Sequence, residues 1–437
     1  MRMSYPRSTS SAGFFKRILF LRPFTLLAIV GAFTMASQNA VALVLSDSVT
    51  VKGFVEGRVA LTDGPLGWEH RGLGKTRFGG DGGQRTIVHT EAAAVVTADI
   101  NWDWTLFINV SADPGRERNP VDFVEAFVRY KPAPSGPTTF SARLGAFFPP
   151  ISFENTSLAW TSPFTISSSA INTWVGEELR TLGSEGTVTH RFGGSEISAT
   201  GAVFTANDPA GSLLAWRGWA VSDREAGIFE RLPLAPVRII EPSGSAPQQA
   251  PWVEPVHEID GRPGVYGAIE ARSPSLGTVR VMVYDNLARK TAFDGDQYAW
   301  HTRFVSIGGR SVLPGDIDLV VQGMIGDTVM GLTSTGQSLV DVDFAAAFLL
   351  LSRSWNQHRL SLRAEYFETV DRDLAVDDDN DEHGNSLTLA YVFYPTERQR
   401  LTVEVLSSFS QRPEREFLGI PNKFHETQAQ VSYRFFF

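Results

Sequence analysis

About sixteen stretches of this chain, from 49–61 to 427–437, are candidates for a period of two, and several alternate apolar and polar residues clearly. A strand turns successive side chains to opposite faces, so each stretch reads as a strand with one apolar and one wet face. Leu401, Val403, Val405 and Phe409 oppose Thr402, Glu404 and Ser408, and Val51, Val55, Val59 and Leu61 oppose Lys52, Glu56 and Arg58. A soluble sandwich alternates in the same way, so the connections decide. Those at 62–86, 113–121, 148–177, 207–263, 287–296, 326–338, 369–385 and 410–426 are long. Between them lie short turns such as "NWD", "PAPSGP", "FGGS", "GGRSVLP" and "PTER". Long loops at one end and short turns at the other are the pattern of a transmembrane antiparallel up-and-down β-barrel. The expected fold is therefore all-β, with about 16 strands, long external loops and short periplasmic turns.

The two ends of the chain fit that fold. Residues 1–42 read as a signal peptide: Arg2, Arg7, Lys16, Arg17 and Arg22, the apolar run "FTLLAIVGAFTMA", then Ala40 and Ala42 as an Ala-x-Ala site. That 13-residue run falls short of the ~20 that a spanning helix needs. Removing those five positive charges takes the net charge from −9 to −14, which argues against nucleic acid as a partner. Later apolar runs are shorter still; "FAAAFLLL" (344–351) has eight residues. The barrel then occupies 43–437, exported to the outer membrane of a Gram-negative cell. At the other end Val431, Tyr433, Phe435 and Phe437 share one face of a last strand that would close against the first and meet lipid. A terminal aromatic behind alternating apolar residues resembles the signal read by the barrel-insertion machinery. Cysteine is absent, which removes disulfides and thiolate metal sites.

The wet faces carry the expected pore lining: Lys52, Glu56, Arg58, Glu125, Arg129, Arg143, Arg280, Arg303, Arg363, Glu365 and Glu404. In a dry core such charges would be costly unless paired; facing a water-filled lumen they cost little and set ion selectivity. His89 and His301 fall on the same faces. Segment 148–177 follows a strand stopped by Pro149 and Pro150, and it is expected to fold inward as a constriction. Its acids Glu154 and Glu177, with Glu178 following, would then face the positive charge of Arg129 and Arg143.

Three patches carry a family resemblance: "VEAFVRY" (124–130), Gly145, Phe147, Pro149 and Pro150 as Gly-x-Phe-x-Pro-Pro, and "WVGEELRTLGSEGTVTH" (174–190). Here the chain resembles the phosphate-selective porins, over about 70 residues. The resemblance implies a 16-stranded barrel, usually a homotrimer, with an infolded third loop. It departs from the family where lysines are common, at Ala146 and Phe148, and at Glu177 and Glu178, which stand where an arginine is expected.

The function expected is a passive diffusion channel for small polar or ionic solutes, partnered by outer-membrane lipid and lipopolysaccharide. No catalytic residue, metal or cofactor is expected. "GLGKT" (72–76) lacks the first glycine of a phosphate loop, which would fall at Glu69. The acidic run "DRDLAVDDDNDEH" (371–383) has Glu382 and Thr388 where a calcium loop needs glycine and glutamate. Two alternatives stand beside the channel. One is a structural or ligand-binding barrel that uses the external loop 207–263, favoured by a plugged lumen. The other is a membrane-embedded hydrolase with Ser and His on an outer face.

Overall fold

The computed structural model describes residues 43–46, 48–80 and 83–437; the expected signal segment lies outside them. The barrel strands are β1 (Val49–Thr62), β2 (Arg85–Asp99), β3 (Trp104–Ala112), β4 (Val121–Tyr130), β5 (Thr138–Phe147), β6 (Thr181–Phe192), β7 (Ser195–Thr205) and β8 (Gly264–Ser273). They continue as β9 (Gly277–Asp285), β10 (His301–Leu313), β11 (Ile317–Met330), β12 (Val340–Trp355), β13 (His358–Asp371), β14 (Glu382–Thr396), β15 (Gln399–Gln411) and β16 (Lys423–Phe436). Each pairs antiparallel with the next, and β16 pairs with β1 (Val431 opposite Val59, Phe435 opposite Val55). The result is a closed, 16-stranded up-and-down barrel with no free edge, the arrangement that lets a sheet satisfy all its backbone groups without water. The seam extends one residue past β16, where Phe437 and Gly53 exchange both backbone hydrogen bonds (3.0 and 2.9 Å). A short strand, Leu43–Ser46, adds an antiparallel piece against the start of β1.

Side-chain parity follows the expected alternation. On β15 Val403 is 40% exposed on the outside while its neighbour Glu404 is fully buried inside. Val281, Val305, Ile325, Leu349, Leu362 and Leu387 belong to the same exposed apolar outer surface. Trp104, Tyr130 and Phe140 form a row of aromatic contacts at the short-turn rim, as do Trp355, His358, Tyr391 and Phe393. A bulge on β4 interrupts the alternation: Asn109 faces Glu125 while Val110 faces Phe123, so Val124 is the extra residue and both Val124 and Glu125 point inward. At Gly145 (φ 136°) a Cβ would lie 2.3 Å from the Ala126 carbonyl, so the β4–β5 contact requires glycine there.

Where the strands differ from expectation, tertiary packing is the cause. The stretch 178–190 starts as strand only at Thr181, because Ala170–Glu178 forms a helix, α1, capped by Ser169. "GGRSVLP" is mostly strand, the end of β10, and the turn is confined to 314–316. The connection 207–263, expected outside, is largely folded into the barrel. It carries a second helix, α2 (Ser212–Arg217), whose residues are all buried. Its Trp219 and the Trp174 of α1 pack at 6.0 Å, and Trp174 meets the inward-facing Phe304 and Phe344 at 5.6 and 5.3 Å. Burying these aromatics is worth more than leaving them on a loop in water. Much of the lumen is therefore packed solid by loops from the long-loop rim.

Candidate functional site

Most residues expected to line a pore instead hold segment 148–180 against the wall. Arg363 on β13 is fully buried; it donates to Glu154 (2.5 Å), to the carbonyls of Ser167 (2.6 Å) and Ser168 (3.1 Å), and to Glu365 (3.1 Å). Glu365 accepts from the Ala170 N–H (2.7 Å), and Glu404 from the N–H groups of Ile166 (2.6 Å) and Ser167 (3.2 Å). Arg280 donates to the Pro150 carbonyl (2.6 Å), Arg143 to the Phe148 carbonyl (2.9 Å), and Glu125 accepts from the Phe148 N–H (3.1 Å). A buried loop must satisfy its backbone polar groups, and charged wall side chains do so here. Lys52 and Arg129 sit exposed near the short-turn rim. Arg303 is a correction: it shares the outer face with Val305 and Ile307, is 60% exposed and pairs with Asp327 (2.8 Å). His301 is on that outer face too, bonded to Asp285 (2.9 Å). The alternation of β10 places both, because its inward set is Thr302, Phe304 and Ser306.

The acids of the segment are a second correction. Glu154 turns to Arg363, Glu177 to Arg217 (2.7 Å), and Glu178 accepts from Trp174 Nε1 (2.5 Å), Ser212 Oγ (2.9 Å) and the Leu213 N–H (2.9 Å). Burial pushes the Glu177 carboxyl up to about 7 despite the arginine beside it. None of these three faces open space; all are buried. Glu178 instead ties α1 to the first turn of α2.

Open space remains against a different part of the wall. A cavity of about 40 Å³ lies between β1–β3 and β16 on one side and the loop tip 155–168 on the other. At roughly 10–15 Å³ per water, it holds about three. The tip contributes only uncharged residues, among them Asn155, Thr161, Ser162 and Ser168. Its backbone is unusual: Ala159 and Trp160 both have positive φ (55° and 60°), and Trp160 stacks on Phe148 at 4.1 Å. Two consecutive left-handed residues without glycine are costly, and the packing of this tip holds them in place.

Charge around the cavity comes from the wall and from three other connections. Arg77 (63–84), Asp113 and Arg116 (113–120), Asp223, Arg224 and Glu225 (206–263) join Glu91 of β2 and Arg434 of β16. All of these but Glu225 form one network with Glu56 and Arg58 of β1, Arg116 joining through Glu230. Arg58 binds Glu56 and Asp223 (both 2.6 Å), Arg77 binds Asp113 (2.5 Å) and Asp223 (3.2 Å), Arg224 binds Asp113 and Glu230, and Arg434 binds Glu56 (2.7 Å). Burial would raise the Asp113 carboxyl, but Arg77 and Arg224 hold it well below the usual carboxylate range. Arg58 and Arg77 do the same for Asp223. Sequence parity could find Glu91 and Arg434; nothing in a linear reading brings Arg77, Asp113, Asp223 and Arg224 together, since they sit on three loops.

Among the described residues, Asp208, Glu258 and Asp260 are the carboxylate trio near enough to share a cation. Their oxygens accept from the turn amides of Ala206, Ile259 and Arg262.

No protein-family model matches this chain, and no curated protein sequence matches it. Solved structures do match. An anion-selective porin from Comamonas acidovorans aligns with a TM-score of 0.51 at 13% identity, covering 89% of this chain and 99% of that one. The outer membrane channel DcaP of Acinetobacter baumannii aligns with a TM-score of 0.53 at 10% identity, covering 89% and 97%. At such identities the likeness establishes the shared barrel fold.

Proposed function

We propose that this barrel is a passive channel of a Gram-negative outer membrane, admitting small polar or ionic solutes through the narrow space beside β1–β3. The observation that carries this is the charged, water-sized cavity bounded by an inward-folded segment, inside a closed wall whose outer surface is apolar. Segment 148–177 acts as the constriction, through the uncharged edge of its tip rather than through its acids. Its solved neighbours include porins and channels, which supports the same reading. Residues 1–42 serve as the export signal, the apolar wall meets lipid and lipopolysaccharide, the last strand is read by the insertion machinery, and three copies assemble as the resemblance implies. Ala146 and Phe148 leave the third-loop region without the lysines of phosphate-selective relatives, so micromolar phosphate should not block the pore.

The test is single-channel conductance of the purified protein in a planar bilayer. Deleting residues 155–170 should raise conductance severalfold, because the deletion removes the edge facing β1–β3. Unchanged conductance in a correctly folded deletion variant would place the solute path elsewhere.

Two further readings each have an observation behind them. The packed lumen favours a binding or structural barrel, and folded protein that never conducts would select that reading. For a hydrolase, Ser407 Oγ and His425 Nε2 lie 2.9 Å apart on the outer faces of β15 and β16. The same hydroxyl–histidine pairing occurs at Thr138–His190 and His358–Tyr391, near the opposite rim, which marks it as a recurring device of the wall surface. The neighbouring strand amides are engaged in the β15–β16 ladder, so they are not free to stabilise an oxyanion.

A further inference from the structure

We infer that the passage prefers cations and that Glu91 and Asp223 set the preference; this rests on the channel reading above. Counting alone gives no answer, because the lining carries as many arginines as acids. Depth does. The side chains of Glu91 and Asp223 remain 16% and 13% exposed, whereas those of Arg58, Arg77 and Arg224 keep 0%, 1% and 4%. These two carboxylates form the wet edge of the network, whereas Glu56 (2%) and Asp113 (7%) lie as deep as the guanidiniums.

That order follows from how each group is satisfied. Arg58 of β1 and Arg77 of the 63–84 connection are each held between two or more carboxylates, which keep both guanidiniums buried. A carboxylate has about four lone-pair sites, so after receiving an arginine it can still turn oxygen toward water. Among the described residues no hydrogen bond reaches the side chain of Glu225, which also lines the cavity. Arg434 is the most exposed of the lining guanidiniums in these ion pairs at 8%, yet its Nε donates to Glu56 and its charge lies 3.8 Å over the Phe54 ring. The loop tip opposite supplies hydroxyls, an amide and Ile166, with no positive charge to offset the acids. An ion in the cavity meets the more exposed oxygen edges of Glu91 and Asp223, whereas the guanidiniums that share the lining are more deeply buried and engaged by carboxylates. Coulomb energy falls with distance and counts for more in a confined, poorly screened space. The solutes favoured are therefore cations small enough for a space of about three waters: inorganic monovalent ions and small primary amines.

The experiment is the reversal potential of the full-length channel across a KCl gradient, with methylammonium chloride as a second probe. The expected sign is that of a cation-preferring pore, with potassium favoured over chloride by roughly threefold or more. Glu91→Gln removes a charge whose ion-pair contacts are all long (3.3 Å or more), so the fold should survive; it should move the ratio toward unity by about twofold. Adding Asp223→Asn should move it further, and heat-modifiable migration confirms that each variant is folded. A conducting wild-type pore with no preference, or with chloride preferred, overturns the inference and leaves the channel reading intact. Selectivity unmoved by either substitution overturns the assignment of these two residues. Folded protein with no conductance overturns the channel reading, and the inference with it.

Discussion

Neighbouring residues with opposite duties give the sharpest test of the wall. Val403 faces outward and Glu404 inward, and both duties follow from parity along "LTVEVLSSF". Val403→Arg should cost about 2–4 kcal/mol if it lies at the membrane midplane, measured by urea unfolding of refolded protein in lipid. Glu404 behaves differently from a simple lining charge, because its carboxylate accepts the Ile166 and Ser167 amides. Glu404→Ala should leave those buried donors unpaired, a cost of about 1–3 kcal/mol carried by the loop rather than the wall. The expected signature is noisier, larger conductance with unchanged wall stability. Equal loss of wall stability in both variants would contradict the assignment of faces. This is also where sequence legibility stops. Periodicity tells which way Glu404 points, but the partner it meets is more than 230 residues away, and no local pattern encodes that.

At the scale of elements, strands were readable and the packing of connections was not. A strand in a barrel wall sees lipid on one side and polar surroundings on the other, so its period survives in the sequence. The helices α1 and α2 are buried all round inside the barrel, so they carry no amphipathic stripe, and "AINTWVGEE" and "SLLAWR" read as loop. The docking of these loops has a pH signature. Arginines hold the Asp113 and Asp223 carboxyls below their ordinary value of 3.8. A depressed carboxyl contributes stability above that ordinary value, and the contribution is lost as pH falls through the folded value. Amide protection of residues 220–224 should therefore be the same at about pH 7 and pH 4 and fall only in stronger acid. Protection already lost at about pH 5 would mean that the guanidiniums do not hold these groups.

For the whole molecule, the closing strand was legible in the alternation through Val431, Tyr433 and Phe435, which pairs with β1. The depth to which the lumen is filled was not, since it depends on long-range packing of aromatics that look like ordinary loop residues. Deleting Phe437 removes both backbone hydrogen bonds to Gly53 at the seam. Assembly into heat-modifiable barrel should fall while the rest of the wall keeps its pairing. Wild-type yields from that variant would show that the seam tolerates a shorter end.

The seam also sets an order of events. Every other pairing in the wall joins strands consecutive along the chain, and most are hairpins that can form locally. The β1–β16 pairing joins residues such as Glu56 and Arg434, at opposite ends of the barrel sequence, so its loop-closure cost falls due only when every other strand is in place. Until then β1 and β16 are two bare edges of an open, apolar-faced sheet, able to pair with the wrong partner. Assembly speed should thus be governed by a handful of residues beside Gly53, while the durability of the finished wall is spread over all sixteen strands.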